Sequence, residues 1–261
     1  MRTAFREHLD DFAHDLIIMC DAVGSIMAQA TEALVYASLE PAEQALSTSD
    51  ELEEIQTRCE ERAVKLLALE SPVASDLRQV ISSIYIVEDL KRMASLAKHV
   101  AKAARRRHPD PVLPEDYRGY FIELGRIVSH MTETTHDLLI DPNADLALGL
   151  THDDDAADDI AEHLLTQLTS EEWPHSTREA VDMTLLARYY ERFADHCVNV
   201  SARIVYLTTG LSPDQYLAER TRARDKETLE RRFKELERQF VRYGTAYPEA
   251  GSSASTETGS F

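Results

Sequence analysis

The sequence predicts an all-α protein: two tandem three-helix bundles related by a pseudo-twofold axis, with one extra C-terminal helix. Three observations predict it. The chain nearly repeats itself at a spacing of one hundred residues. Its prolines lie almost entirely at the ends of long proline-free stretches. Apolar residues recur at helical spacing, and no stretch sustains the period-two alternation of a strand.

The repeat is read without gaps. Arg78 meets Arg178, Arg92 meets Arg192, Ala94 meets Ala194 and Val100 meets Val200. Apolar meets apolar at Ile81/Val181, Ile86/Leu186, Met93/Phe193 and Ala97/Cys197. A self-match in register implies one helical unit used twice. The two copies differ where it matters: the second reads Glu191-Arg192-Phe193-Ala194-Asp195, the first Lys91-Arg92-Met93-Ala94-Ser95. A site built on that carboxylate pair is therefore lopsided.

Proline is costly inside a helix, so the stretches between Pro41, Pro72, Pro109/Pro111/Pro114, Pro142, Pro174 and Pro213 read as helices. The first three span 3–38, 42–70 and 73–107. In the third, Leu77, Ile81, Ile84, Val87 and Met93 form a core-facing stripe. The proline-rich segment His108–Pro114 links the copies. Helices over 115–140, 143–171 and 176–209 follow, the last with a stripe of Leu186, Tyr190, Phe193, Cys197, Val200 and Ile204. Short connections favour antiparallel neighbours, so residues 1–108 and 115–212 each form a three-helix bundle. A seventh helix over 213–243 lies outside the repeat. Over 214–243 it carries nine Lys/Arg against seven Asp/Glu. Its seam of Leu229, Phe233, Leu236, Phe240 and Tyr243 steps like a short coiled coil. That seam is expected to pack on the chain's own bundle or within an oligomer. Residues 244–261, rich in Gly, Ser and Thr, read as a disordered tail.

Composition narrows the function. Eight Gly and nine Pro in 261 residues are too few for the frequent turns of an all-β fold. A formal net charge of −19 disfavours nucleic acid and anionic lipid as partners. Charges run through residues 1–15, and Leu16–Cys20 is too short an apolar run to span a bilayer, so no signal peptide or direct membrane insertion is expected. Cys20, Cys59 and Cys197 are widely spaced and read as reduced core thiols of a cytoplasmic protein.

The chemistry-bearing candidates are carboxylates. Glu191 and Asp195 stack on one helical face, opposite Phe193, Cys197 and Val200, and Asn199 continues the row. In helix 5, Asp154 and Asp158 repeat the four-residue spacing. Helices 5 and 6 run antiparallel, so the two pairs meet if the register allows it. Hard oxygen ligands in pairs suit Mg, Mn, Ca or iron. The bland alternative is a solvated acidic face. A ferritin-like diiron site needs Glu-x-x-His on two helices. Glu133–His136 supplies one arm, but Glu172–His175 straddles Pro174. Phosphate-binding glycine loops and hydrolase elbows are absent from the sequence.

Two motifs resemble a known family. Pro72-Val73-Ala74-Ser75-Asp76-Leu77-Arg78 is similar to the P-x-A-x-D-L-R entry to helix 3 of the PhoU family of phosphate-transport accessory proteins. Tyr190-Glu191-Arg192-Phe193-Ala194-Asp195-His196-Cys197-Val198-Asn199 resembles its L-E-R-I-G-D-H-A-x-N signature in helix 6. The resemblance covers about residues 3–209.

It implies a non-enzymatic cytoplasmic regulator, an adaptor between the ATPase subunit of the phosphate ABC transporter and a sensor histidine kinase, expected as a homodimer. Such a protein restrains phosphate uptake and starvation signalling when phosphate is plentiful. The resemblance also implies a metal (Mn, Mg, Fe or Zn) held by Glu191 and Asp195 with Asp154 or Asp158. Asp50 and Glu54 occupy the equivalent place of helix 2 in the first copy. There Lys91 and Ser95 depart from the acidic pattern, and a lysine ammonium repels a cation, so the first copy is expected to stay empty. The alternative function is a carboxylate-bundle metal store or metal-dependent enzyme. A third reading is a structural interaction bundle that docks through helix 7.

Overall fold

The computed structural model describes residues 2–69 and 72–245. Seven helices run in order: α1 Arg2–Tyr36, α2 Leu39–Leu69, α3 Ala74–Arg107, α4 Arg118–Ile140, α5 Ala144–Leu168, α6 Thr177–Thr209 and α7 Pro213–Thr245. A single 3-10 turn, Glu115–Tyr117, leads into α4. No strand occurs among the described residues.

The first bundle packs α1 against α2 and α3, and the second packs α5 and α6 with α4. The copies meet through equivalent helices, α1 against α4 and α3 against α6. Helices that meet their own counterparts are the mark of a pseudo-twofold axis. The burial pattern repeats with the sequence. Ser82, Ser83, Ile86, Val87 and Leu90 are buried in α3, and Asp182, Met183, Leu186, Ala187 and Tyr190 are buried in α6. Met1–Pro213 forms one compact unit and Asp214–Phe261 another.

Helix ends follow local chemistry. Pro41 lies inside the first turn of α2, where its missing N–H costs nothing. The break between α1 and α2 falls instead at Ala37, with φ of 51°. Asn143 caps α5 by accepting from the N–H groups of Asp145 and Leu146. Ser176 and Glu179 close a capping box on α6, and Gly210, with φ of 78°, ends it. Helix α5 stops at Leu168 rather than 171. Residues 169–175 turn away, and Trp173 Nε1 donates to the Ser176 carbonyl at 3.1 Å.

The α3 stripe expected at Leu77 and Ile81 is corrected: these are 40% and 37% exposed. The buried row runs Val80, Ser83, Val87, Leu90, Ala94, Ala97, Ala101 and Ala104 at three- and four-residue steps. Small residues disguise it in the sequence: five of its eight positions are serine or alanine.

Helix α1 is long and apolar enough to cross a membrane, with a mean hydropathy of 1.3 in its most apolar window. Here it is a core helix: Phe12, Leu16, Met19, Val23 and Ile26 are buried. Asp15, also buried, takes Arg58 and Arg62 of α2 at 2.8 Å each.

Two glycines set how closely α1 and α4 pack. A Cβ on Gly125 would stand 2.5 Å from Thr31 Cγ2, and one on Gly24 would stand 3.1 Å from Thr132 Cγ2.

Within α7, Leu229, Phe233 and Leu236 are exposed, and Arg231 pairs with Glu227 at 2.6 Å. From residue 246 the expected tail lies outside the described residues, as do the side chains of Phe240 and Tyr243.

Candidate functional site

The register of α5 against α6 brings the acidic pairs together. Asp195 lies within electrostatic reach of both Asp154 and Asp158. Asp158 and Glu191 line one open cleft of about 550 Å³, together with Thr184, Leu185, Arg188 and Leu165. Phe193, Cys197 and Val200 are buried on the opposite face of α6, as the helical period requires.

The carboxylates are crowded rather than paired. Burial, then Asp158 and Asp195, push the Asp154 carboxyl up from 3.8 to about 6. Burial and Asp195 also raise Asp158. Asp154 Oδ1 is buried with no hydrogen-bond partner. Glu191 behaves differently: Arg188, one turn earlier, donates to its Oε1. No group of three His, Cys, Asp or Glu among the described residues stands at metal-ligating geometry. The hard oxygen donors and the unpartnered Asp154 oxygen suit a divalent cation in charge. Glu191 would have to leave Arg188, and the carboxylates would have to converge.

The first copy has the opposite electrostatics. Lys98 Nζ donates to Asp50 Oδ1 at 2.7 Å, and this bond, with the Lys98 and Lys102 charges, holds the Asp50 carboxyl below its ordinary value. Lys98 and Lys102 correspond to Val198 and Ala202 in the second copy. Lys91 lies 3.9 Å from Glu88. The lopsidedness therefore rests on more than Lys91 and Ser95, since α3 supplies ammonium groups where α6 has apolar side chains.

One motif residue has a structural role that sequence reasoning missed. His196 Nδ1 lies 2.9 Å from Asp89 Oδ1 of α3. A carboxylate can only accept, so Nδ1 carries the proton. The bond ties the second copy to the first. Other cross-links share that seam. Arg106 Nη2 donates to Asp182 at 3.1 Å, and the His99 and Tyr189 rings stack with centroids 5.2 Å apart. These partners are remote in sequence, and no local signal announces them.

Nucleophilic chemistry is opposed by the surroundings of the thiols. All three cysteines are buried, and burial pushes Cys59 and Cys197 up to about 12. Glu133 and His136 line a groove between α1 and α4, where His136 lies 3.2 Å from Asp21.

Comparison with known proteins agrees with the duplicated architecture. The PhoU domain matches twice, over residues 16–104 and 121–204. Phosphate-specific transport system accessory protein PhoU homolog 2 of Mycobacterium tuberculosis is 45% identical over 213 residues, covering 82% of this chain and 100% of that protein. PhoU homolog 1 of Mycobacterium leprae is 43% identical, over 82% of this chain and 96% of its own. The crystal structure of PhoU from Pseudomonas aeruginosa superposes with a TM-score of 0.73 at 26% identity, covering 79% of this chain and 100% of that one. The phosphate transport system regulatory protein PhoU from Streptococcus pneumoniae gives 0.70 at 26% identity, over 80% and 98% of the two chains. The two domain matches fall on the two bundles and leave out the linker and α7, and the chain belongs to the PhoU family.

Proposed function

We propose that this protein is a cytoplasmic accessory regulator of phosphate uptake and phosphate-starvation signalling. It acts as a non-catalytic adaptor between the ATPase subunit of the phosphate ABC transporter and a sensor histidine kinase, and restrains both when phosphate is plentiful. The observation that carries this reading is the 45% identity to a phosphate-specific transport system accessory protein along that protein's whole length. A clean deletion strain is expected to leave phosphate-starvation genes on in high phosphate, with uptake unrestrained. An alkaline phosphatase reporter and labelled phosphate uptake measure this. Normal repression in the deletion strain, with no second PhoU gene present, would contradict it. The exposed α7 seam, Leu229, Phe233 and Leu236, supports a homodimer in which a second copy covers it.

The crowding of Asp154 favours a second reading: a divalent or iron-type cation held on the second copy by Glu191 and Asp195, with Asp154 or Asp158. Two carboxylates and a cation relieve the repulsion that raises Asp154. Glu191→Ala with Asp195→Ala is expected to abolish stoichiometric Mn²⁺ binding in calorimetry, and unchanged binding would refute the assignment.

The same crowding has a pH signature. A carboxyl raised to about 6 costs the folded state nothing below its ordinary 3.8 and the full penalty above about 6. Folded stability is therefore lost as pH rises through that window. Asp154→Asn removes the titration. Without metal, it should raise stability at pH 7 by about 1 kcal/mol after solvent screening, or about 2–4 °C in Tm, and by nothing near pH 4. Equal Tm gains at both pH values would overturn the assignment.

A further inference from the structure

A second surface, separate from the acidic cleft, carries its own chemistry. Arg92 and Arg203 line a groove of about 570 Å³ between the N-terminal half of α3 and the C-terminal half of α6, along with Tyr85, Glu88, Asp89 and Tyr206. Tyr85 is 48% exposed and Tyr206 39%. The Arg203 guanidinium lies 4.0 Å above the Tyr85 ring, and that of Arg78 lies 5.8 Å from the Tyr206 centroid. Gly210 makes room for Arg78, because a Cβ there would collide with the guanidinium. Arg78 Nε is buried without a hydrogen-bond partner.

The chain has 47 acidic side chains against 28 basic ones, yet Arg92 and Arg203 stand together in one groove. Among the described residues, no ion pair involves Arg78, Arg92 or Arg203. The two carboxylates that line the groove have other partners: Asp89 holds His196 at 2.9 Å, and Glu88 lies 3.9 Å from Lys91. The other half of the α3/α6 seam lacks this arrangement. The repeat places Leu185 opposite Tyr85, Ala103 opposite Arg203 and Arg106 opposite Tyr206, and Arg106 is paired with Asp182.

We propose that this groove docks an acidic segment of a partner protein, with carboxylates on Arg78, Arg92 and Arg203 and apolar side chains against Tyr85 and Tyr206. Exposed Tyr and Arg are the residue types that anchor protein interfaces. Arg78 and Arg92 stand about 21 Å apart along the helix axis, at 1.5 Å per residue. That spread is too long for one small anion and fits a helix or extended segment. The inference rests on the adaptor reading only in that a partner protein supplies the segment.

The test uses the full chain and a fluorescein-labelled amphipathic helical peptide with a row of Glu beside a row of Leu. The control peptide has Gln in place of Glu. Fluorescence anisotropy is expected to show binding of the Glu peptide. The control, and the R92E/R203E variant with the Glu peptide, should each bind about tenfold more weakly or worse. The variant's Tm should fall by no more than about 2–4 °C, because neither arginine holds an ion pair and only the Arg203–Tyr85 contact is lost. Inorganic phosphate should displace the peptide no better than sodium chloride at matched ionic strength. No binding of the Glu peptide, equal binding by the variant, or specific displacement by phosphate would each overturn the proposal. Complementation of the deletion strain separates the two claims. If the wild type and R92E/R203E both restore repression, the docking face is wrong and the adaptor reading stands. If the deletion strain shows no loss of repression, the adaptor reading fails and the peptide titration alone decides the docking face.

Discussion

Replacing Gly125 with valine is expected to destabilise the protein by about 2–5 kcal/mol, because it strikes the point where the two bundles meet. A Cβ at this position would stand 2.5 Å from Thr31 Cγ2. Overpacking of this kind costs about 1–3 kcal/mol. Thr31 cannot simply move away, because its hydroxyl shares a hydrogen bond of 2.7 Å with the Tyr190 hydroxyl. Tyr190 is fully buried, so breaking the bond leaves its hydroxyl unsatisfied, at about 1–3 kcal/mol. Valine returns only a few tenths of a kcal/mol over glycine, because its β-branch makes it a poor helix former. The expected fall in Tm is about 4–20 °C, using 2–4 °C per kcal/mol for a chain of this size. Thr31→Ala relieves the clash but not the orphaned hydroxyl, so the double variant should be non-additive. A loss below about 1 kcal/mol in chemical denaturation would show that α1 and α4 are not held this closely.

Phe193→Ala is expected to cost about 3–5 kcal/mol, the usual penalty for emptying a buried aromatic site. Phe193 is fully buried in α6 and is the repeat counterpart of Met93, which is fully buried in α3. Asp195→Ala, two residues further along, should cost nothing, since Asp195 is exposed and crowds Asp154 and Asp158. Thermal unfolding of the two variants side by side reads the difference between the two faces of α6. Similar losses in both would contradict the placing of Phe193 inward and Asp195 outward.

Much of the fold was legible because its signals are local. Prolines bounded the helices, and the hundred-residue register placed α3 and α6 as equivalents. The four-residue spacing put Glu191 and Asp195 opposite the core stripe. The errors have physical causes. Pro41 looked like a boundary, yet a proline is tolerated in a first helical turn. Leu77 and Ile81 looked like core, but the buried α3 row is completed by Ser83 and four alanines that carry no strong hydrophobic signal.

The candidate site was partly legible. Asp154 and Asp158 do reach Asp195, which follows from antiparallel packing in the right register. The Lys98–Asp50 pair was readable in principle, since the repeat sets Lys98 against Val198. The Asp89–His196 bond and the Arg203–Tyr85 contact join residues more than a hundred positions apart. No periodicity within one helix encodes them.

One module is used twice, with Asp50 of the first copy held by Lys98 and Asp154 of the second left crowded by like charges. A carbon-detected NMR titration of the side-chain carboxyls in metal-free buffer tests it most directly. Asp154 is expected to titrate near 6 and Asp50 below its ordinary 3.8. Asp154 and Asp50 titrating together at the ordinary aspartate value would contradict it.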